Sequence, residues 1–136
     1  ASTMAKVERW NCGARLCLVV ATDNMVKTAG VVANDTSLDV AGQTQNILDQ
    51  IDDLLVVAGA RKRDITDVAI WLAHIGNDFA IFNEVYDQWV DHKNLPVRAT
   101  VGSPLATPDY LVEIQVSAWR DCARTRRCRV CHSSFR

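Results

Sequence analysis

The chain has 136 residues, of which 49% are hydrophobic, and its formal net charge is −1. A chain of this length builds one domain with its own hydrophobic core. No apolar run approaches the roughly 18 residues of a membrane span, and the N-terminus has no apolar segment typical of a signal peptide. These observations argue against a membrane partner and predict a single cytoplasmic domain, with residues 1–5 as an extension or a cloning remnant.

The charge is distributed unevenly along the chain. Residues 1–119 contain 9 basic and 15 acidic side chains and sum to −6, whereas residues 120–136 contain six arginines and one aspartate and sum to +5. An acidic body argues against nucleic acid as the main partner. The five cysteines do not form the pattern of a disulfide framework, and Cys12 and Cys17 are expected to pack as small apolar groups.

The first third of the chain predicts strands. Residues 16–21 and 25–32 are rich in β-forming side chains, and Thr-Asp-Asn at 22–24 between them is typical of a hairpin turn. A further short strand at residues 6–10 is left open. Gly30 interrupts the run at 25–32, which indicates a bulge or a close approach of the backbone to another group.

A long amphipathic helix is predicted over residues 36–58. Its apolar side chains recur at helical spacing and form one face: Val40, Thr44, Ile47, Leu48, Ile51, Leu54, Leu55 and Ala58. Thr36 and Asp39 resemble a capping box at its start, and Gly59 is a natural residue for its end. The opposite face is polar and is expected to face solvent.

The second half predicts a strand, a helix and two more strands. Residues 65–75 are apolar on both faces, which predicts a strand covered on both sides, by helices on one and a second subunit on the other. Asn77 or Asp78 can cap a helix whose aromatic stripe reads as core: Phe79, Phe82, Val85, Tyr86, Trp89 and Val90. Pro96 ends this helical region, and strands follow at about 97–101 and 110–119.

This order, β-β-α-β-α-β-β, predicts an α+β fold with a mixed sheet and two helices on one face. The other sheet face would be left bare. A bare apolar face predicts association between copies of the chain.

Two charged residues near the C-terminal end are difficult to explain by packing. Arg98 follows Pro96 and carries a planar guanidinium suited to a carboxylate. Glu113 lies in an apolar strand, where burial would raise its pKa and suit it for proton transfer. Their separation along the chain suits neighbouring antiparallel strands and predicts a shared cleft. The alternative is a structural ion pair between Arg98 and Glu113.

Several segments in the body resemble a known family when they are taken in order and at these separations. They are Thr28-Ala29-Gly30, QTQNILDQIDDLLVVAG (43–59), DITDVAIWL (64–72), NDFAIFNEVYDQWV (77–90), PVRATV (96–101) and LVEIQVSA (111–118). Over about residues 6–119 they resemble the RidA/YjgF family of imine and enamine deaminases, and their details are most similar to its YoaB-like branch.

The resemblance implies a chorismate-mutase-like subunit in a homotrimer, with active sites in clefts between subunits. It places the arginine that binds the substrate carboxylate at Arg98 and the acidic residue that positions water at Glu113. Gly30 keeps its place beside the substrate, but the family's serine is Ala29 and its cysteine is Thr100. No metal and no cofactor are implied.

The function implied is hydrolysis of 2-imino or 2-enamino acids to 2-oxo acids and ammonia, which is metabolite damage control. Arg98 would hold the carboxylate by two parallel hydrogen bonds, and Glu113 would orient the attacking water. Because a hydroxyl is absent at Ala29, the alternative is a non-catalytic module that binds small carboxylates in the same cleft.

Residues 120–136 are predicted to be an Arg/Cys-rich extension without fixed structure. Cys128 to His132 matches the C-x-x-C-H haem pattern, and Cys122, Cys128, Cys131 and His132 could hold zinc. The missing export signal and the adjacent positions of Cys131 and His132 argue against both. A third class of function, binding of nucleic acid or metal by this tail, stays open.

Overall fold

The computed structural model describes residues 6–121, which form a six-stranded mixed sheet with two helices packed on one face. The elements in chain order are β1 (Glu8–Cys12), β2 (Cys17–Ala21), β3 (Met25–Thr28), α1 (Val40–Ala58), β4 (Ile65–Leu72), α2 (Ile75–Trp89), β5 (Val97–Gly102) and β6 (Val112–Trp119). This α+β architecture confirms the predicted order, including the further strand at the start. Neither helix of residues 6–121 has the length and apolarity needed to span a membrane.

The strands lie in the order β1-β2-β3-β6-β4-β5. Only β4 and β5 are parallel, because α2 connects them as a crossover, and every other neighbouring pair is antiparallel. β6 is inserted between β3 and β4, although it comes last in the sequence. β1 and β5 form the two edges of the sheet.

The hydrophobic core lies between the helices and one face of the sheet. Alternate residues of the central strands point into it, and they are fully buried: Val68, Ile70 and Leu72 of β4, and Val112, Ile114 and Val116 of β6. Their sequence neighbours Trp71 and Glu113 lie on the opposite face and are only half-buried. The helices therefore cover one face, and the other is open in the single chain.

The helix ends differ from the prediction by a few residues. α1 begins at Val40 because the Asp39 carboxylate, rather than the Thr36 hydroxyl, accepts a hydrogen bond from the Gly42 amide at 2.8 Å. Gly59 ends this helix as predicted, with a φ of 89° that favours glycine. α2 begins at Ile75, before the predicted caps, because β4 ends already at Leu72.

Cys12 and Cys17 are joined by a disulfide bond, so the expectation that they pack as small apolar groups is wrong. The two residues are direct partners across the β1–β2 hairpin. The Gly13 amide donates to the Leu16 carbonyl at 2.8 Å, which closes the turn and brings the sulfur atoms together. The pairing depends on hairpin register, which the spacing of cysteines did not show.

The C-terminal end of the described chain is fixed by Arg120, a residue that the sequence placed in the extension. Its side chain is 2% exposed and donates to the carbonyls of Thr22 and Ala58 and to the Glu8 carboxylate at 2.9 Å. A buried arginine paired in this way belongs to the core of the domain. The predicted tail ligands Cys122, Cys128, Cys131 and His132 lie outside the described residues.

Gln43 connects the start of α1 to the loop between β5 and β6. It is fully buried, and its amide group donates to the carbonyls of Leu38 and Asp109. Its side-chain oxygen accepts from the Leu111 amide at 2.9 Å. This glutamine satisfies backbone groups of a loop that has no strand partner, and so it fixes how β6 enters the sheet.

We predict that Gln43→Leu lowers the free energy of unfolding by about 2 kcal/mol, because it leaves buried backbone groups without partners. Urea denaturation followed by circular dichroism measures this change. Gln45→Leu is the control, since Gln45 is exposed on the same helix and bonds only the side chain of Asp49. Equal losses in the two variants would contradict the role of Gln43.

Asp52 joins the two helices. Its carboxylate accepts from the Trp89 indole at 3.0 Å and lies 3.9 Å from the Lys62 ammonium. Burial raises the pKa of Asp52 above its ordinary value of 3.8, and the nearby carboxylates of Asp49 and Asp53 act in the same direction. The folded state therefore binds this proton more tightly than the unfolded chain does, and ionised Asp52 costs stability.

Asp52→Asn should raise the free energy of unfolding at neutral pH, because the amide oxygen still accepts from Trp89 and carries no charge. The gain should disappear as the pH falls below 3.8, where the wild-type carboxyl group becomes protonated in both states. Thermal unfolding from pH 3 to pH 8 measures the difference, with Asp67→Asn as the control, since Asp67 is exposed on β4 and is not among the groups that shift the pKa of Asp52. A gain that is constant with pH would contradict this account.

Candidate functional site

Arg98 lies on the edge strand β5 and points to the helix side of the sheet. It pairs in register with the buried Val68. Its guanidinium carbon lies 4.8 Å from the ring centroid of Tyr86, 5.8 Å from that of Phe82 and 5.9 Å from that of Phe79. Within residues 6–121 its N–H groups find neither a carboxylate nor another hydrogen-bond acceptor.

Thr100 follows Arg98 on the same face of β5, two residues further on. Its hydroxyl oxygen is buried and has no hydrogen-bond partner among the described residues. A buried hydroxyl without a partner costs about 1–3 kcal/mol of stability. Arg98 and Thr100 therefore lie on the same face of β5 with polar groups that have no partner among the described residues, and the planar cation of Arg98 in this state suits an anion.

Tyr86 lies next to Arg98. Burial raises the pKa of Tyr86 above its ordinary value of 10.0, and the positive charge of Arg98 opposes this shift. The phenol is thus neutral at physiological pH. It can take part in hydrogen bonding next to Arg98 without adding negative charge to an anion site.

Glu113 lies on the open face of the sheet, beside its register partner Trp71. Its side chain packs against Gly30. A Cβ atom on Gly30 would lie 2.9 Å from the Glu113 carboxyl carbon, so a larger residue there would displace the carboxylate. The predicted close approach at Gly30 is confirmed, and the group that approaches is Glu113.

The segment beside Glu113 is fixed by backbone contacts. The Ala29 amide donates to the Leu18 carbonyl at 2.9 Å. The Thr28 hydroxyl accepts from the Val116 amide at 3.1 Å, and Val31 forms an isolated bridge with Ile114. Strand pairing is thus interrupted between Thr28 and Val31. Ala29 and Gly30 form a short irregular segment, and the Glu113 side chain packs against Gly30.

The structure does not bring Arg98 and Glu113 into one cleft of a single chain, so the expectation that they lie on neighbouring strands is wrong. β4 lies between β5 and β6, which separates the two strands by about 10 Å. The side chains also point to opposite faces of the sheet. Within one chain, the alternative of a structural ion pair between Arg98 and Glu113 is wrong for the same reason.

Residues 6–121 contain no group of three histidine, cysteine or acidic side chains that could hold a metal ion. His92 follows the end of α2, and its Nε2 atom lies 2.6 Å from the Asp87 carbonyl, a contact within the end of the helix. His74 precedes α2 and is exposed. The described residues thus offer anion-binding and acid–base groups.

The rings around Arg98 are functional neighbours that the sequence analysis assigned only to the core. Phe82 and Tyr86 are indeed buried, while Phe79 is 42% exposed. Positions 79, 82 and 86 follow one face of a helix, and β5 comes directly after that helix. A parallel crossover places such a face over the following strand, and this signal could have identified the contact.

Comparisons with known proteins show the family to which this chain belongs. Residues 10–120 match the family described as Endoribonuclease L-PSP. The chain is 40% identical over 112 residues to the RutC family protein YoaB of Escherichia coli (strain K12), with 82% of this chain and 96% of YoaB covered. The chain belongs to the YjgF/RidA family, as the sequence motifs indicated.

Two further relatives extend the comparison. The chain is 33% identical over 98 residues to the 3-aminoacrylate deaminase RutC of Acinetobacter baylyi, with 68% of this chain and 76% of RutC covered. The crystal structure of a YjgF-family protein of Neisseria meningitidis matches with a TM-score of 0.80 and 31% identity, and covers 85% of this chain and 95% of that one. The family therefore includes a deaminase, and its fold is the one described above.

Gly30→Ala should move the Glu113 carboxylate while changing the free energy of unfolding by less than about 1 kcal/mol, because the end of a flexible side chain gives way. A crystal structure of the variant and a thermal unfolding curve measure both effects. Gly76→Ala is the control, since a Cβ there meets no atom within 4 Å. If the Glu113 carboxylate does not move in Gly30→Ala, the contact with Gly30 does not determine the position of that carboxylate.

Proposed function

We propose that this protein hydrolyses 2-imino or 2-enamino acids to 2-oxo acids and ammonia. The observation that carries the proposal is the guanidinium of Arg98, which is held in place although none of its N–H groups is paired within the described chain. A planar cation in this state can bind a carboxylate by two parallel hydrogen bonds. The deaminase among the relatives supports the same chemistry.

The reaction asks little of the protein beyond binding and proton transfer. Arg98 binds the substrate carboxylate, and Thr100 and the backbone at Ala29–Gly30 line the site. Glu113 accepts a proton from water as the water oxygen bonds to the imine carbon. Glu113 returns this proton to the nitrogen and leaves an amino alcohol, whose hydroxyl proton then passes to the nitrogen as the carbon–nitrogen bond breaks, so that ammonia leaves the 2-oxo acid. A 2-enamino acid first tautomerises to the imine, as one proton moves from its nitrogen to its carbon.

The site is completed between two subunits of a homotrimer. Arg98 and Glu113 lie on opposite faces of one sheet, so one substrate can meet both only if they come from different chains. The open face supports such contacts, because it presents exposed apolar side chains on the edge strand: Val97 at 70% and Val101 at 48%. The half-buried Trp71 continues this surface on β4.

A non-catalytic carboxylate-binding module is the second candidate function. It is favoured by Ala29, which brings no hydroxyl to the segment beside Glu113. Such a module would bind 2-oxobutanoate through Arg98 but would release no ammonia from an imine. In both proposals the partner is a small acid, and neither requires a cofactor or nucleic acid.

We expect Arg98→Ala to lower kcat/KM for ammonia release from enzymatically generated 2-aminoacrylate by about 100-fold or more, because the carboxylate loses its bidentate partner. Glu113→Gln should lower kcat by a similar factor, since the amide cannot accept the water proton. Arg63→Ala is the control for charge, as Arg63 is exposed in the turn before β4. Equal activity of wild type and Arg98→Ala would rule out the catalytic proposal.

Mixing the two inactive variants tests the shared site. If each site takes Arg98 from one subunit and Glu113 from another, refolding Arg98→Ala with Glu113→Gln restores about a quarter of the sites in randomly mixed trimers. Each variant refolded alone should stay inactive. Failure of mixed, trimeric samples to regain activity would exclude a site built from these two residues of different chains.

A further inference from the structure

We propose that Phe79 and Tyr86 are positioning residues for Arg98: they hold the guanidinium by its charge and leave its hydrogen-bond donors available to a carboxylate. The inference rests on the proposed function, since it concerns how the Arg98 guanidinium is oriented before a carboxylate binds to it. It assigns a second role to Tyr86, which is part of the hydrophobic core, and a first role to Phe79, which is exposed.

The first support is the way in which Arg98 is held. An arginine placed by a carboxylate uses N–H groups for that contact and is no longer free to bind a second anion with them. A ring contacts the cation through the negative face of its π system and uses none of the N–H groups. Three rings lie within 5.9 Å of the guanidinium carbon, and Tyr86 is the nearest at 4.8 Å.

The second support is the exposure of Phe79. A phenylalanine that served only the core would be buried, as Phe82 is at 0% exposed. Phe79 is 42% exposed and yet faces Arg98. Ile81 on the same helix has the same exposure and no contact with Arg98 among the described residues. A comparison of substitutions at Phe79 and Ile81 therefore separates the effect of the ring contact with Arg98 from the general effect of removing an exposed apolar side chain from α2.

The third support is the orphaned hydroxyl of Thr100 on the same face of β5. The rings thus hold the cation on the face of β5 that also carries a polar group without a partner among the described residues. The ligand that this arrangement takes is a small organic acid with a single carboxylate.

The test compares binding of 2-oxobutanoate, measured by calorimetry, in the full chain and its variants. Phe79→Ala and Tyr86→Leu should weaken binding by about three- to tenfold, because the guanidinium loses a ring contact. Tyr86→Phe should recover most of the affinity lost in Tyr86→Leu, since it keeps the ring. Ile81→Ala is the matched control and should bind as the wild type does.

A double-mutant cycle separates positioning from general damage. In the Arg98→Ala background, Phe79→Ala and Tyr86→Leu should cause no further loss of affinity, because the rings act through Arg98. NMR relaxation of the Arg98 Nε–H group should show an ordered side chain in the ligand-free wild type and a mobile one in Tyr86→Leu. This second measurement depends on no activity and remains valid if Tyr86→Leu is less stable.

The outcomes distinguish the positioning role of Phe79 and Tyr86 from the proposed binding of a carboxylate by Arg98. If Arg98→Ala loses binding while both ring variants bind normally and Arg98 stays ordered, the positioning role is wrong and the anion site stands. If Arg98→Ala binds 2-oxobutanoate as the wild type does, the proposed function and this inference both fail. Ring variants that weaken binding equally with and without Arg98 would also overturn the positioning role.

Discussion

Strand β6 hydrogen-bonds to β3 on one side and to β4 on the other, and the geometry of the site follows from this placement. Since side chains alternate along a strand, Ile114 enters the core and Glu113 must face away from the helices. The same insertion puts β4 between Glu113 and Arg98. A single chain therefore carries Arg98 beside α2 and Glu113 on the open face of the sheet.

Arg98 and Glu113 are positioned by different means. Arg98 is held by aromatic rings of α2, whose own position depends on the Trp89–Asp52 bond to α1. The Glu113 side chain packs against Gly30, which leaves room for it because glycine has no side chain. Strand pairing is interrupted in this segment. The first arrangement leaves hydrogen-bond donors unpaired, and the second leaves room for a carboxylate.

Much of the fold could be predicted because it depends on local patterns. The apolar face of α1, the end of that helix at Gly59 and the irregularity at Gly30 follow from helical periodicity and from the properties of glycine. The start of α1 was less certain, since Thr36 and Asp39 can both cap a helix. The Cys12–Cys17 disulfide was missed because it depends on hairpin register.

The sequence by itself determined the α+β class, the family and the residue types of the site, because these reside in periodicity and in short motifs. Only the tertiary structure decided which faces Arg98 and Glu113 occupy and what surrounds them. Strand order is set by pairing between residues distant in the chain, and the separation of two residues in sequence does not contain that information. The aromatic setting of Arg98 arises in the same way, from a helix folded back over the strand that follows it.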